Sequence, residues 1–214
     1  MDNWLLGKIL ILPAILIGFT FHEYAHAIVA DKLGDKTPKF QGRLTLNPFV
    51  HIDIIGFLMI LIMNFGWAKP VQINPSAFKN RYKDDLKVSI AGPLANLVVA
   101  FIGAILMVLL SKYGFNLLSA VPGLYNILSI IISYIVSINC MLFIFNLIPI
   151  PGLDGFHILR DLFPGYYYKI SDTLYRYQMI ILLVIIVTPI ATYVVGIPSR
   201  LLYVTFIRIA NLII

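Results

Sequence analysis

Long apolar runs separated by short polar connections dominate the pattern of this 214-residue chain. The first run extends from about Trp4 to Ala30, and three more cover about 87–110, 124–148 and 178–196. Their lengths match the roughly 20 residues that a helix needs to cross the hydrocarbon layer of a membrane. The pattern therefore predicts an all-α polytopic membrane protein. The first three runs are its three core helices, and residues 174–214 add one or two C-terminal helices.

Between the first two core helices the pattern changes. Residues 54–65 are apolar but number only about a dozen, which suits a re-entrant or interfacial element better than a spanning helix. Residues 66–74 lie between glycine and proline breakers and are predicted to form an extended strand, while 41–51 are predicted to be extended or irregular. The last stretch, 201–214, is short and contains Arg208, so it either spans obliquely or lies in the interface.

Composition excludes the other broad classes. Sixty per cent of the residues are apolar and 12% are charged, against about 45–50% and about 25% in soluble domains. A water-soluble globule and a disordered chain are both excluded by this balance. The single cysteine, Cys140, excludes a disulfide scaffold.

The distribution of charge predicts an orientation. The formal charge is +6, but the basic residues lie between apolar segments, which favours membrane lipid and not nucleic acid as their partner. Loops 31–53, 67–87 and 149–177 hold four, five and three of the sixteen basic residues. These loops are predicted to be cytoplasmic. We therefore expect an integral protein of the plasma membrane.

One motif in the first core helix carries chemistry. His22-Glu23-Tyr24-Ala25-His26 has the H-E-x-x-H pattern, in which the two imidazoles share one helical face and can bind a single Zn²⁺. Glu23, at the side of that face, can take a proton from the attacking water and pass it to the leaving amine. The alternatives are a chance match or a polar helix end that faces lipid headgroups. A carboxylate costs free energy in a lipid-embedded helix, which favours a functional role.

A tetrahedral catalytic zinc needs a third protein ligand and one open position. The best candidate is Asp154, which follows a proline- and glycine-rich break at the end of the third core helix. Such breaks are tolerated at membrane depth where they line a cavity. Spacing alone leaves two roles open for Asp154, a metal ligand or the N-cap of a following helix.

Three separated motifs, in this order, resemble the site-2 protease family of intramembrane zinc metalloproteases. They are His22-Glu23-x-x-His26, the segment Ala91-Gly-Pro-Leu-Ala-Asn96, and Asn146-x-x-Pro-x-x-x-Leu-Asp154-Gly. The resemblance implies that His22, His26 and Asp154 hold one Zn²⁺ per chain and that Glu23 is the general base. It also implies that Asn96 and Asn146 orient substrate or steady the site.

The resemblance further implies a compact family member. We expect a single transmembrane metalloprotease domain over 1–214, with its core in 4–160 and without a peptide-binding or nucleotide-sensing domain. Its reaction would be hydrolysis of peptide bonds within or next to transmembrane segments of membrane-protein substrates. Two rival functions stay open: a zinc-binding membrane transporter or channel, and an inactive scaffold with the protease fold.

The supporting residues each have two interpretations. Asn96 either contacts the substrate backbone or site, or makes an interhelical hydrogen bond. Asn146 either binds the scissile carbonyl or caps carbonyls freed at the break. His51 and Asp53 are interpreted as part of a turn; the less favoured alternative is that the Asp53 carboxylate hydrogen-bonds a zinc-bound imidazole. His157 is not expected to be a metal ligand.

The aromatic and extended segments complete the prediction. Trp67 and Tyr166–Tyr168 are interpreted as interfacial aromatics. Proteases generally hold substrate as an extended chain, and an exposed strand edge can recruit one. We therefore hypothesise that Trp67–Ile73 pairs with unwound substrate beside the zinc.

Overall fold

The computed structural model describes residues 3–63, 66–115, 118 and 121–214, and within these ranges the regular structure is helical, as predicted. A 3₁₀ turn at Pro75–Ala77 and π-helical turns at Leu110–Gly114 and Thr192–Gly196 accompany the helices. The helices are α1 (Asn3–Leu33), α2 (Thr37–Phe40), α3 (Pro48–His51), α4 (Ile54–Met63), α5 (Arg81–Leu109), α6 (Pro122–Asn146), α7 (Asp154–Leu162), α8 (Pro164–Val187) and α9 (Ile197–Ile213).

The core of the fold is the predicted three-helix unit, because α1, α5 and α6 each pack against the other two. Small side chains allow this close approach: Ala100, Ala104 and Cys140 are fully buried where α5 and α6 meet. Helix α9 packs on the same pair of helices, partly through the buried Ala210. These contacts bring the middle of three helices together around the predicted site.

Four stretches of the described chain are long and apolar enough to cross a membrane, consistent with an integral membrane protein. Leu6–Leu33, Arg81–Gly114 and Gly123–Asn146 correspond to the predicted core helices. The fourth, Thr192–Ile213, joins a π-helical turn to α9 and has 22 residues. Of the two alternatives for the C-terminal stretch, its length therefore supports a crossing.

Two predicted helix starts are wrong. Helix α5 begins at Arg81 and not near residue 87, and α8 begins at Pro164 and not near 174. Hydropathy detects only the apolar part of a helix, whereas these starts depend on local chemistry. The Asp84 carboxylate accepts a hydrogen bond from the Asn80 N–H at 3.0 Å, and Pro164 occupies a helix start, where its missing N–H costs nothing.

The connection from α1 to α5 differs from its predicted form. Within the predicted irregular stretch 41–51, Asn47 caps the short helix α3 by accepting from the Phe49 N–H. The predicted element at 54–65 contains the ten-residue helix α4, and residues 64–65 lie outside the described chain. The predicted strand at 66–74 has no regular secondary structure apart from one antiparallel bridge, Ile52 to Ala68. A strand needs a continuous partner, which a ten-residue helix does not provide.

Two buried charges hold residues 69–74, here called the 69–74 segment, against the end of α1. The Arg43 guanidinium donates to the carbonyl oxygens of Lys69 at 2.6 Å and Pro70 at 2.7 Å. The Asp35 carboxylate accepts from the Asn74 N–H at 2.7 Å. Both charged side chains are almost fully buried, so the segment is fixed at its two ends by strong, charge-assisted hydrogen bonds.

Candidate metal centre

The three expected metal ligands meet at one point. His22 and His26 lie one turn apart on α1, and their Nε2 atoms are 3.0 Å apart. The Asp154 carboxylate places Oδ2 at 3.2 Å from Nε2 of His22, and Oδ1 at 3.3 Å from Nε2 of His26. They are the one group of at least three histidine, cysteine, aspartate or glutamate ligands found in the described ranges.

Asp154 reaches this point because α6 ends in a tight break. Gly152 adopts a φ of +94°, a conformation that glycine tolerates best. A Cβ on Gly155 would lie 2.3 Å from the Leu147 carbonyl oxygen, so only glycine lets α7 press against the end of α6. Asp154 is the first residue of α7, and the capping position is Leu153. The N-cap alternative for Asp154 is therefore not adopted.

Hydrogen bonds fix which ring nitrogen of each histidine carries the proton. Nδ1 of His26 lies 2.8 Å from the Val88 carbonyl oxygen, and Nδ1 of His22 lies 2.7 Å from Oδ1 of Asn96. Both partners are acceptors, so each Nδ1 must donate. A neutral imidazole has one N–H, which leaves both Nε2 lone pairs directed at the same point.

The geometry and the donor set fit a metal ion. Tetrahedral zinc with nitrogen or oxygen ligands at 2.0–2.1 Å separates neighbouring ligand atoms by ~3.3 Å, and the three observed separations are 3.0, 3.2 and 3.3 Å. Two lone pairs and a carboxylate facing one another would repel without a cation between them. Asp154 Oδ2 is also buried without a hydrogen-bond partner.

The Asp154 carboxylate is the acidic member of the ligand group. A carboxylate supplies a hard oxygen that complements two imidazole nitrogens, a ligand set common at catalytic zinc.

Gly92 on α5 makes room for both imidazoles. A Cβ at this position would lie 2.2 Å from Nε2 of His26 and 2.7 Å from Cε1 of His22. Such distances are far below van der Waals contact. The glycine of the Ala91–Asn96 motif therefore permits the two rings to approach α5 as well as permitting helix packing.

Glu23 lies beside the three ligands and is tied to the 69–74 segment. Its Oε2 accepts a hydrogen bond from the Val71 N–H at 2.8 Å, and the side chain is buried. Arg43 is close enough for its charge to interact with Glu23: burial lowers the pKa of Arg43, and Glu23 opposes that shift. Glu23 is the only glutamate in the chain.

A cavity of about 510 Å³ opens onto the three ligands and Glu23. Polar groups at its wall include Asn146, His157 and Arg160. Its apolar wall includes Phe19, Trp67, Val71, Ile73, Leu142 and Phe145. The cavity is large enough for a short stretch of peptide. Residues of the 69–74 segment and the metal ligands both line it.

The two supporting asparagines have different positions. Asn96 is fully buried, and its Nδ2 donates to the Gly18 carbonyl oxygen at 3.0 Å and to Oδ1 of Asn139 at 2.9 Å. Asn96 also contacts His22, so it makes both a site contact and interhelical hydrogen bonds, the two roles that the sequence left open. Asn146 lines the cavity, and its Nδ2 donates to the Leu142 carbonyl oxygen at 3.0 Å.

The remaining predicted residues divide between structure and cavity. Asp53 accepts from the Gly56 N–H at 2.8 Å, and His51 Nε2 lies 2.8 Å from the Thr45 carbonyl oxygen, so both serve the local chain as predicted. His157 lies outside the ligand group, also as predicted. Trp67, interpreted from sequence as an interfacial aromatic, also lines the cavity.

Sequence reasoning missed four contributors to the site. The carbonyl of Val88 and the N–H of Val71 are backbone groups and leave no trace in a sequence. Arg43 lies in a loop, where one basic residue resembles any other. Asn139 did leave a signal, because a polar amide inside the apolar run 124–148 needs a buried partner.

Comparison with known proteins agrees with this geometry. Peptidase family M50 matches residues 10–133 and 123–189. The chain belongs to peptidase family M50. The resemblance to the site-2 proteases, which this family contains, is thereby confirmed.

Three relatives of this M50 chain carry the name "Putative zinc metalloprotease". YwhC of Bacillus subtilis is 44% identical over 91% of this chain and 89% of its own length. MJ0611 of Methanocaldococcus jannaschii is 30% identical over 71% and 70%, and Rip2 of Mycolicibacterium smegmatis is 29% identical over 85% and 68%. No solved structure matches the chain. The family and these names support a metalloprotease that uses zinc.

Proposed function

We propose that this chain is an intramembrane zinc metalloprotease that hydrolyses peptide bonds within or next to transmembrane segments of membrane-protein substrates. One observation carries the proposal: the Nε2 atoms of two imidazoles and the Asp154 carboxylate converge within 3.0–3.3 Å of one another beside a cavity and a buried glutamate. His22, His26 and Asp154 would hold one zinc per chain, and bound zinc would supply Lewis-acid chemistry.

Glu23 is the proposed general base. Its carboxylate is held in place by the Val71 N–H, so it can accept a proton from the attacking water and deliver it to the leaving amine without a large movement. Asn146, at the cavity wall, is proposed to bind the substrate backbone. Removing such a donor from a reacting carbonyl costs about 10²–10³ in rate in proteases.

The proposed substrate is a transmembrane protein segment. His22 and His26 lie within the apolar stretch Leu6–Leu33, which supports a site at membrane depth. His26 is about 10 Å of helical rise from the end of α1, and the basic loops that follow favour the cytoplasmic side of the plasma membrane. Val71 and Ile73 line the cavity, which supports the hypothesis that an unwound substrate lies along the 69–74 segment.

Substitution Glu23→Gln tests the proposal directly. The amide keeps the size and hydrogen-bonding reach of the side chain but cannot accept a proton as a carboxylate does. We expect zinc bound per purified chain to be unchanged and cleavage of a reporter with one transmembrane helix to fall by about 10²–10⁴. Zinc is measured by elemental analysis, and cleavage by the size of the reporter fragments.

The matched control is Asp172→Asn, which neutralises an exposed carboxylate on α8. It should retain full cleavage, and a zinc chelator should abolish cleavage by the wild type. Full activity of Glu23→Gln would contradict the assigned role. Zinc uptake into vesicles without any reporter cleavage would instead support the transporter, and zinc binding with neither activity would support the scaffold.

A further inference from the structure

Asn139 is a buried polar side chain that belongs to none of the motifs. It lies on α6 with an exposed fraction of 0% and does not line the cavity. An amide in such a place costs free energy unless both of its ends are hydrogen-bonded. Both ends are used: Nδ2 donates to the Ile135 carbonyl oxygen at 2.8 Å, and Oδ1 accepts from Asn96 Nδ2 at 2.9 Å.

These hydrogen bonds have a fixed direction. The Ile135 carbonyl oxygen can only accept, so Asn139 must turn its Nδ2 toward it and its Oδ1 toward Asn96. Asn96 must then present its own Nδ2 to Asn139, a direction that the carbonyl oxygen of Gly18 also requires. The Oδ1 atom of Asn96 is left facing His22.

The direction of these hydrogen bonds determines which ring nitrogen of the proposed metal ligand His22 carries the proton. Since Oδ1 of Asn96 accepts, Nδ1 of His22 must carry the ring proton, and Nε2 is bare. A reversed Asn96 amide would offer an N–H to Nδ1 and move the proton to Nε2. A protonated Nε2 cannot bind a metal, so the orientation of one buried amide decides whether His22 is a ligand.

Packing supports the same assignment. A Cβ on Gly18 would lie 2.8 Å from Cδ1 of Leu142 and 3.3 Å from Oδ1 of Asn139. The absence of a side chain at Gly18 therefore lets α6 bring Asn139 close to α1. The three amide and carbonyl partners come from α1, α5 and α6, the helices of the core.

We propose that Asn139 is a positioning residue that orients the Asn96 amide and thereby keeps the His22 proton on Nδ1 and Nε2 free for zinc. We call this hydrogen-bonded pair the Asn139–Asn96 relay. The inference rests on the proposed zinc function, but it concerns metal binding and not the cleavage reaction.

A double-mutant cycle separates the relay from simple packing. Asn139→Leu keeps the number and branching of the side-chain heavy atoms and removes the acceptor for Asn96. Asn96→Asp gives His22 a carboxylate, which accepts in either orientation and needs no relay. We expect Asn139→Leu alone to weaken zinc affinity about tenfold, the lower range for a residue that supports a ligand. In the Asn96→Asp background the same change should not weaken zinc affinity, because it removes an Oδ1 that would face the new carboxylate.

Zinc affinity is measured on the purified full chain in detergent by competition with a chromogenic chelator. A second readout is ¹⁵N NMR of the metal-free, histidine-labelled chain, which distinguishes Nδ1–H from Nε2–H. The wild type should show His22 with its proton on Nδ1, and Asn139→Leu should populate the Nε2–H form. A packing defect alone would not change the ring proton.

The matched control is Asn211→Leu on α9, where the amide donates to the Ile207 carbonyl oxygen at 3.0 Å, the same four-residue bond that Asn139 makes. It should leave zinc affinity unchanged. If Asn139→Leu does not fold, Asn139→Ser provides the test, because its shorter side chain withdraws from Asn96.

Wild-type zinc affinity in Asn139→Leu, or an equal loss in both backgrounds, would overturn the relay. Neither measurement uses substrate, so absence of proteolysis would count against the proposed reaction and not against the relay. A wild-type chain that binds no zinc would overturn the metal centre itself.

Discussion

His22 and His26 occupy equivalent places at the metal centre, yet the chain supports them by different means. His26 donates to the backbone carbonyl of Val88, which is part of the α5 helix itself. His22 donates to a side-chain amide, which depends on a second amide and on two further carbonyls. A backbone carbonyl can only accept a hydrogen bond, and it remains in place when the side chain of its residue is substituted. A side-chain amide can reverse, so its direction must be specified by neighbours.

The comparison shows where the centre is vulnerable. The hydrogen bond that supports His26 does not depend on which side chain stands at position 88 of α5, because its acceptor is a backbone carbonyl. The hydrogen bonds that support His22 depend on the identity of particular side chains. The Glu23 side of the cavity is different again, since its carboxylate is held by the backbone N–H of the 69–74 segment. Three substitutions test the supports of the two histidines and of Glu23 separately.

Gly92→Ala should have the largest effect, because it acts on both histidines at once. The added Cβ would overlap Nε2 of His26 at 2.2 Å and approach Cε1 of His22 at 2.7 Å. We expect zinc affinity to fall by at least about tenfold, and cleavage with it. Gly165→Ala, where a Cβ meets nothing within 4 Å, is the control and should bind zinc normally. Undiminished zinc binding in Gly92→Ala would show that α5 does not confine the rings.

Arg43→Lys should have an intermediate effect confined to the Glu23 side. A single ammonium cannot replace the planar guanidinium, which bonds the carbonyls of Lys69 and Pro70 together. The 69–74 segment should loosen and hold Glu23 less well, so we expect kcat for the reporter to fall about tenfold while zinc per chain stays constant. The exposed Arg176→Lys is the control. A parallel loss of zinc would show that Arg43 supports the whole centre.

Val88→Ala should have the smallest effect on the centre. The side chain is 2% exposed and packs with Ala30 and Phe78, so its truncation should cost about 2 kcal/mol in the free energy of unfolding. The carbonyl that accepts from His26 remains. Zinc affinity should therefore match the wild type, in contrast to Asn139→Leu. A large loss of zinc affinity without unfolding would mean that His26 depends on this side chain.

The parts of the fold that sequence predicts well are those where one property dominates. Apolar length alone locates the three core helices, because a lipid-embedded helix must satisfy all of its backbone groups internally. The first turns of α5 and α8 contain polar residues and are invisible to that criterion. The 66–74 stretch has the residues of a strand, but strand formation depends on a partner, and the described residues supply only the single bridge from Ile52.

The site residues likewise divide into those that sequence predicts and those that it does not. His22, Glu23 and His26 are recognisable because helical spacing places both imidazoles on one face. Asp154 cannot be assigned from spacing, since a loop carboxylate before a helix is equally suited to capping; its role emerges from Gly155 and the contact with the end of α6. Val88 and Val71 contribute only backbone atoms, which no side-chain pattern records.

The position of Asp154 along the chain also has a consequence during synthesis. Two of the proposed zinc ligands are made early, on the first helix, while the third follows the last core helix. A nascent chain therefore lacks a complete ligand set until nearly all of the core has left the ribosome and entered the lipid. Under the proposed function, the enzyme gains its cutting ability only after all three core helices have been made, which protects neighbouring membrane proteins from a half-built protease.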